Sequence, residues 1–144
     1  MRNHRDTAPK RQRIAGGDIR VLVVDDHALV RTALTEVLEN EDDLTVVGEC
    51  EDGSQVVDAT AQLRPDVVCL DMSMPVMGGL EAAEALRAAQ ADVRIIVLTA
   101  ESPARSTVAA VGADALAPKR ARPDALLSCL RAVAAGVTGC PYCL

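Results

Sequence analysis

Aromatic side chains are almost missing from this chain of 144 residues: there is one tyrosine, Tyr142, and neither phenylalanine nor tryptophan. A core is still expected, because 49% of the residues are hydrophobic, but it has to be built from Val, Leu, Ile and Ala. Also missing is any apolar run near the roughly 18 residues that cross a bilayer. The N-terminus has no apolar segment of the kind a secretory signal carries, and the two absences together predict a cytoplasmic protein. Cysteine occurs in an odd number, at 50, 69, 129, 140 and 143, which argues against a disulfide framework. Cys50 and Cys69 sit in apolar runs and read as small buried hydrophobes. Finally, no strand-like run is followed by a G-x-G-x-x-G turn, which removes a dinucleotide-binding module.

What is present suits one globular domain with a single substantial core. Charge is uneven along it. Residues 1–18 hold five Lys or Arg against two Asp, leaving ten basic against nineteen acidic groups for the rest. The basic stretch lacks apolar periodicity and ends near Gly16-Gly17, as a flexible, solvated arm does. The acidic body is a poor surface for nucleic acid, so no direct DNA binding is expected from it.

From Ile19 onward two patterns alternate. "IRVLVV" (19–24), "LTVVGE" (44–49), "DVVCL" (66–70), "VRIIVL" (93–98) and "ADALA" (113–117) are short runs, apolar at nearly every position. Strands covered on both faces have that character. Between them lie segments of helical period. In "HALVRTALTEVLEN", for example, Leu29, Val30, Ala33, Leu34, Val37 and Leu38 share one face; Ser54 and Gly136 are candidate caps for the second and last helices. Five strands alternating with five helices predict an α/β fold, a doubly wound parallel sheet of five strands. Ligands in such folds collect beyond the C-terminal ends of the strands.

Those ends carry a coherent set of groups: Asp25 and Asp26 after the first strand, Asp71 after the third, Thr99 after the fourth and Lys119 after the fifth. Any one Asp there could be an ordinary helix cap. Three carboxylates converging on one point repel each other unless a cation joins them, and hard oxygen ligands beside a lysine suit Mg²⁺. The Thr99 hydroxyl and the Lys119 ammonium would stabilise a phosphoryl group. Around Asp71 runs "DVVCLDMSMPVMGG": Pro75 stops the strand, and Gly78-Gly79 allow a tight, mobile return into a helix. A carboxylate presented in this way can act as a nucleophile toward phosphorus.

The motifs "VLVVDDHALVRTAL", "PDVVCLDMSMPVMGGLEA", "IIVLTA" and "GADALAPK", in that order from Ile19 to about Gly136, resemble the receiver domain of two-component response regulators. The likeness is strongest to receivers attached to LuxR-type helix-turn-helix domains. The resemblance implies a flavodoxin-like (βα)5 sheet in the order 2-1-3-4-5, and residues 19–136 as the receiver between the arm and a short Cys-containing tail, 137–144. It implies that a histidine kinase or phosphotransfer protein phosphorylates Asp71. Asp26 then corresponds to the carboxylate ligand of Mg²⁺, Asp25 to the acid holding a metal-bound water, and Ser73 to the residue whose main-chain carbonyl completes the site. Thr99 corresponds to the switching hydroxyl, Ala100 to the small residue beside it and Lys119 to the phosphate partner. Such a domain is a phosphoacceptor, not an enzyme acting on an external substrate. A dehalogenase-type hydrolase would need a second acid two residues beyond Asp71, where Ser73 stands.

Three features depart from the family pattern. Leu116 stands where Tyr or Phe is usual, which predicts an altered output switch. Pro118, directly before Lys119, removes a ladder donor, tolerable on an edge strand, and could displace the lysine. After Gly136 only "VTGCPYCL" follows, short of a helix-turn-helix module; the expectation is a stand-alone receiver that docks on partners, with a receiver separated from its effector as the alternative. Cys140 and Cys143 have the spacing of a dithiol or half a zinc site, and Cys-Pro-Tyr-Cys resembles the active-site sequence of glutaredoxins. Here it lacks a following domain, so an incidental exposed tail is expected, with redox- or zinc-dependent homodimerisation as the alternative.

Overall fold

The computed structural model describes residues 18–137 and 140–144, so the basic arm at 1–17 lies outside the described residues. Strands β1 (Ile19–Val24), β2 (Leu44–Cys50), β3 (Val67–Asp71), β4 (Arg94–Thr99) and β5 (Ala115–Pro118) alternate with helices α1 (Ala28–Glu39), α2 (Val56–Leu63), α3 (Gly79–Ala88), α4 (Arg105–Ala110) and α5 (Pro123–Ala134). All strand pairs are parallel, in the order β2-β1-β3-β4-β5. This is the doubly wound arrangement that the alternation of runs predicts, in the flavodoxin-like order that the receiver resemblance implies. Strand ends shift by one or two residues from the apolar runs, because hydrogen bonding continues onto Cys50, Asp71, Thr99 and Pro118.

The sheet divides the apolar residues into two cores, since successive side chains of a strand face opposite ways. Val21, Val23, Cys69, Ile96 and Leu98 pack on one side with Leu38 of α1 and with Leu126, Leu130 and Val133 of α5. Leu22, Val24, Leu70, Ile95 and Val97 pack on the other with Val56, Ala82, Ala83, Leu86 and Val108 of α2, α3 and α4. Small Ala residues on α3 let it lie close to the sheet without aromatic filling. Cys50, Cys69 and Cys129 are all buried, and full burial pushes the Cys69 thiol up to about 12.

Two cap assignments separate. Gly136 ends α5 as expected: at φ +73° its N–H donates to Val133 O, and Val137 N–H to Ala132 O, a complete left-handed C-terminal motif. Pro123 at its first turn and Arg131 in its last suit the helix ends. Before α2, however, Asp52 accepts from the Ser54 N–H, so Asp52 and not Ser54 is the capping side chain. The apolar stripe of α1 is also only half used: Leu38 is buried, but Leu29 is 86% exposed. That first turn overhangs the strand ends, where there is no sheet beneath it to cover.

The return from β3 into α3 is held by close backbone approach, not by unusual dihedrals. Gly79 N–H donates to Met72 O at 2.9 Å, and a Cβ on Gly79 would lie 2.5 Å from the Asp71 carbonyl oxygen. Gly78 has φ −77°, so this loop needs glycine for space, and the return into α3 is tight, as expected. Gly79→Ala should therefore cost roughly 1–3 kcal/mol, measured as a lower urea midpoint by circular dichroism, and Gly78→Ala, whose Cβ would lie 2.8 Å from Met72 O, should lower it as well.

Candidate functional site

β1 and β3 are neighbours in the sheet, with Val24 beside Leu70, so the residues that follow their ends meet. One carboxylate or ring atom from each of Asp25, Asp26, His27 and Asp71 falls within a 4.8 Å cluster. Asp25 and Asp71 are almost fully buried. Lys119 reaches in from the end of β5, its Nζ 3.1 Å from Asp25 Oδ2 and 3.2 Å from Asp71 Oδ1. Three carboxylates against one ammonium leave excess negative charge in a poorly solvated place.

The acceptors are unequally satisfied. Asp71 Oδ1 also takes the Ser73 N–H at 3.3 Å, and Asp25 Oδ1 takes the His27 N–H at 2.8 Å. Asp71 Oδ2 and Asp26 Oδ1 are buried with no hydrogen-bond donor; the His27 ring nitrogen lies 3.3 Å from the latter without donating to it. A buried carboxylate oxygen without a donor is costly. A hard divalent cation would satisfy both oxygens and offset the charge, so the residues present fit Mg²⁺. Burial first, then the Asp25 charge, pushes the Asp71 carboxyl above its ordinary value, and Lys119 and the Ser73 N–H only partly offset this. Lys119 feels the opposite balance: burial opposes its charge, but Asp25 and Asp71 outweigh that and hold the ammonium above its usual value.

The remaining sequence candidates sit around this cluster. Thr99 is buried at the end of β4, and its hydroxyl oxygen accepts the Glu101 N–H at 2.9 Å, turned toward the following loop. Ala100 is exposed beside it. Pro118 pairs with Thr99, yet Lys119 N–H donates to Thr99 O at 2.8 Å. N–H directions alternate along a strand, and Leu116 N–H points outward from β4. The N–H that Pro118 lacks would therefore have faced the outer edge, and Lys119 keeps its place. Leu116 is half-buried in β5, packed on the α2–α4 side. The structure adds His27, whose place as the third consecutive side chain after β1 was its sequence signal.

The fold and the acidic, lysine-bearing cleft at the C-terminal strand ends define a doubly wound α/β domain with a candidate cation site. The response regulator receiver domain matches residues 21–131, and this chain belongs to that family. It is 39% identical to the response regulator GacA of Pseudomonas aeruginosa over 120 residues, covering 82% of this chain and 56% of that one. To the response regulator UvrY of Escherichia coli it is 42% identical over 120 residues, covering 82% and 55%. The chain thus spans about half the length of these curated relatives. Among solved structures, a LuxR-family two-component response regulator from Aurantimonas superposes with a TM-score of 0.81 at 26% identity, over 87% of this chain and 91% of that one. The response regulator domain of CheB from Thermotoga maritima gives 0.73 at 29% identity, over 85% and 99%. Among the described residues no helix is long and apolar enough to cross a membrane.

The charge balance has a measurable consequence in metal-free protein. Because folding raises the Asp71 value, folding favours its protonated form, and the associated stability is full below the unfolded value, about 4, and lost as pH rises through the folded one. Asp71→Asn should match wild type in thermal midpoint near pH 4 and exceed it by roughly 3–5 °C at pH 7. Mg²⁺ should close that gap by raising wild type alone; circular dichroism melts with and without the ion check both.

Proposed function

We propose that this receiver is phosphorylated on Asp71 by a histidine kinase or phosphotransfer protein, with Mg²⁺ bound by Asp26, Asp71 and the Ser73 carbonyl and through water by Asp25. The observation that carries the reading is the pair of buried acceptor oxygens without donors, Asp26 Oδ1 and Asp71 Oδ2, beside Lys119. When bound, the cation supplies charge neutralisation for an incoming phosphoryl group. The chain's own groups do the rest. An Asp71 carboxylate oxygen attacks phosphorus in line as the P–N bond to the donor imidazole breaks, and the released electron pair stays on that imidazole. Lys119 withdraws from its ion pair with Asp71 to meet the phosphoryl oxygens, and the step needs positioning and charge more than covalent help.

The new acyl phosphate adds about −1.5 to −2 charges at the strand ends. In this reading the Thr99 hydroxyl exchanges its Glu101 N–H for the phosphoryl group and draws the β4–α4 loop inward. Leu116 can repack as that loop moves but offers neither ring nor hydroxyl, so the change at the β5 face is smaller than an aromatic would give. The phosphorylated form signals in the cytoplasm by docking on a protein partner, with the domain contributing no DNA contact.

Incubation with acetyl phosphate and Mg²⁺ should add about 80 Da to the intact mass as an acid-stable, base-labile adduct. The adduct should be lost in Asp71→Asn and fall by at least tenfold in rate in Lys119→Ala (~1.4 kcal/mol). An unlabelled wild type, or an adduct that persists in Asp71→Asn, would overturn the assignment.

A further inference from the structure

The last residues of the chain do not hang free. Leu116 N–H donates to Tyr142 O and Leu144 N–H to Asp114 O, both at 2.9 Å, and Ala115 pairs antiparallel with Cys143. The segment 142–144 is a short antiparallel addition to the open edge of β5. Cys140, Tyr142 and Cys143 pack on the α1–α5 core, Leu144 packs on the opposite one, and the Arg105 guanidinium donates to the Cys143 carbonyl. Pro118, with no N–H to offer on that edge, marks where the pairing stops.

The segment is delivered by a turn that also joins its two thiols. Cys143 N–H donates to Cys140 O at 3.2 Å, closing a β-turn with Pro141 at its second position, which the fixed φ of proline favours. Such a turn brings its first and fourth Cα atoms within about 7 Å, the span of a disulfide. The two Sγ atoms lie 2.7 Å apart as free thiols. Burial opposes ionisation of Cys140, but the Cys143 and Cys129 thiols and the backbone N–H groups of Tyr142 and Cys143 outweigh it and hold that thiol below its ordinary value. Cys129, buried beneath, is pushed the other way, by burial first and then by its thiol neighbours. One thiol is therefore poised to be attacking thiolate and its turn partner to resolve it, while the third stays protonated. Among the described residues the cluster of three or more candidate metal ligands is the acidic one at the strand ends.

We propose that Cys140 and Cys143 are a reversible dithiol pair, whose oxidation by a hydroperoxide locks the C-terminal segment onto the edge of β5. The Cys140 thiolate attacks a peroxide oxygen, the O–O bond breaks, and the leaving oxygen takes a proton to depart as water or alcohol. Cys143 sulfur then attacks the resulting sulfenic sulfur; the S–S bond forms, the S–O bond breaks, and water leaves with the Cys143 proton. A cellular thiol reverses the reaction by exchange. Reduced, the segment is held by two backbone hydrogen bonds, the Arg105 contact and partial burial, ties that local opening can break. The disulfide keeps its turn closed until it is reduced and removes released conformers. Access to the β5 edge, four residues or fewer from Lys119, then depends on thiol state. The proposal does not rest on phosphorylation, and no readout below involves it.

The 144-residue protein is treated with stoichiometric hydrogen peroxide, alkylated and cut with trypsin, which separates Cys129 in peptide 121–131 from the pair in peptide 132–144. Peptide 132–144 should escape alkylation and be about 2 Da lighter than its unalkylated reduced form, unlinked to any other, and dithiothreitol should restore its two alkylatable thiols. Hydrogen exchange at the Leu116 amide should slow by about tenfold in the oxidised protein. Both effects should vanish in Cys140→Ser and in Cys143→Ser, near-isosteric changes at part-buried positions whose far-UV spectra should match wild type. A bridge to peptide 121–131, an intermolecular dimer, stoichiometric zinc on the pair, no oxidation at all, or oxidation that leaves Leu116 exchange unaltered would each overturn it.

Discussion

Negative charge crowded at one end of a parallel sheet is the constraint around which this protein is arranged. The sheet brings Asp25, Asp26 and Asp71 together because β1 and β3 are adjacent and run the same way. Burying them makes their repulsion stronger than it would be in water. Lys119 offsets part of it through Asp25 and Asp71, and the remainder stays as two carboxylate oxygens without donors. A site under such tension is one whose unpaired oxygens a hard cation would satisfy.

The rest of the fold makes that tension tolerable. Two aliphatic cores, one on each face of the sheet, hold β1, β3 and β4 with almost no exposure. The strand ends therefore cannot splay to separate the charges. Methyl-rich packing without aromatics achieves this through small residues on α3 and close helix–sheet contact. The Gly79 turn follows the same logic at the site itself, bringing the loop after Asp71 back against its own backbone. Space there is taken up by main chain, so the carboxylate keeps one orientation.

At the far edge of the sheet the constraint is different in kind. β5 would present unpaired N–H and C=O groups to solvent, the ordinary liability of an edge strand. Pro118 removes one of these donors, and the chain's own closing residues pair with others. Leu116 lies on this strand and Lys119 directly follows it, so the groups that would read the charge at the acidic cleft and the groups that meet the tail are adjacent in the chain.

Much of this was legible in the sequence. Near-continuous apolar runs alternating with helical period specify a parallel doubly wound sheet, because only burial on both faces suits such strands. Given that sheet, Asp25, Asp26, Asp71, Thr99 and Lys119 follow as neighbours, since they stand directly after strands. Local pattern failed where partners come from elsewhere in the chain. Leu29 carries the period of a buried face but is 86% exposed, His27 joins the acidic cluster with only its place directly after the two acids to signal it, and Asp52 caps where Ser54 was expected. Above all, "CPYCL" read as an exposed tail. Its turn was written in Pro141, but its docking depended on β5 being an open edge at the right distance, which no local periodicity encodes. The sequence alone determined the element types and the residues at strand ends, because both are set by short-range pattern. Tertiary structure decided which charges share one poorly solvated cleft and which edge the chain end covers, because long-range contacts set desolvation and pairing.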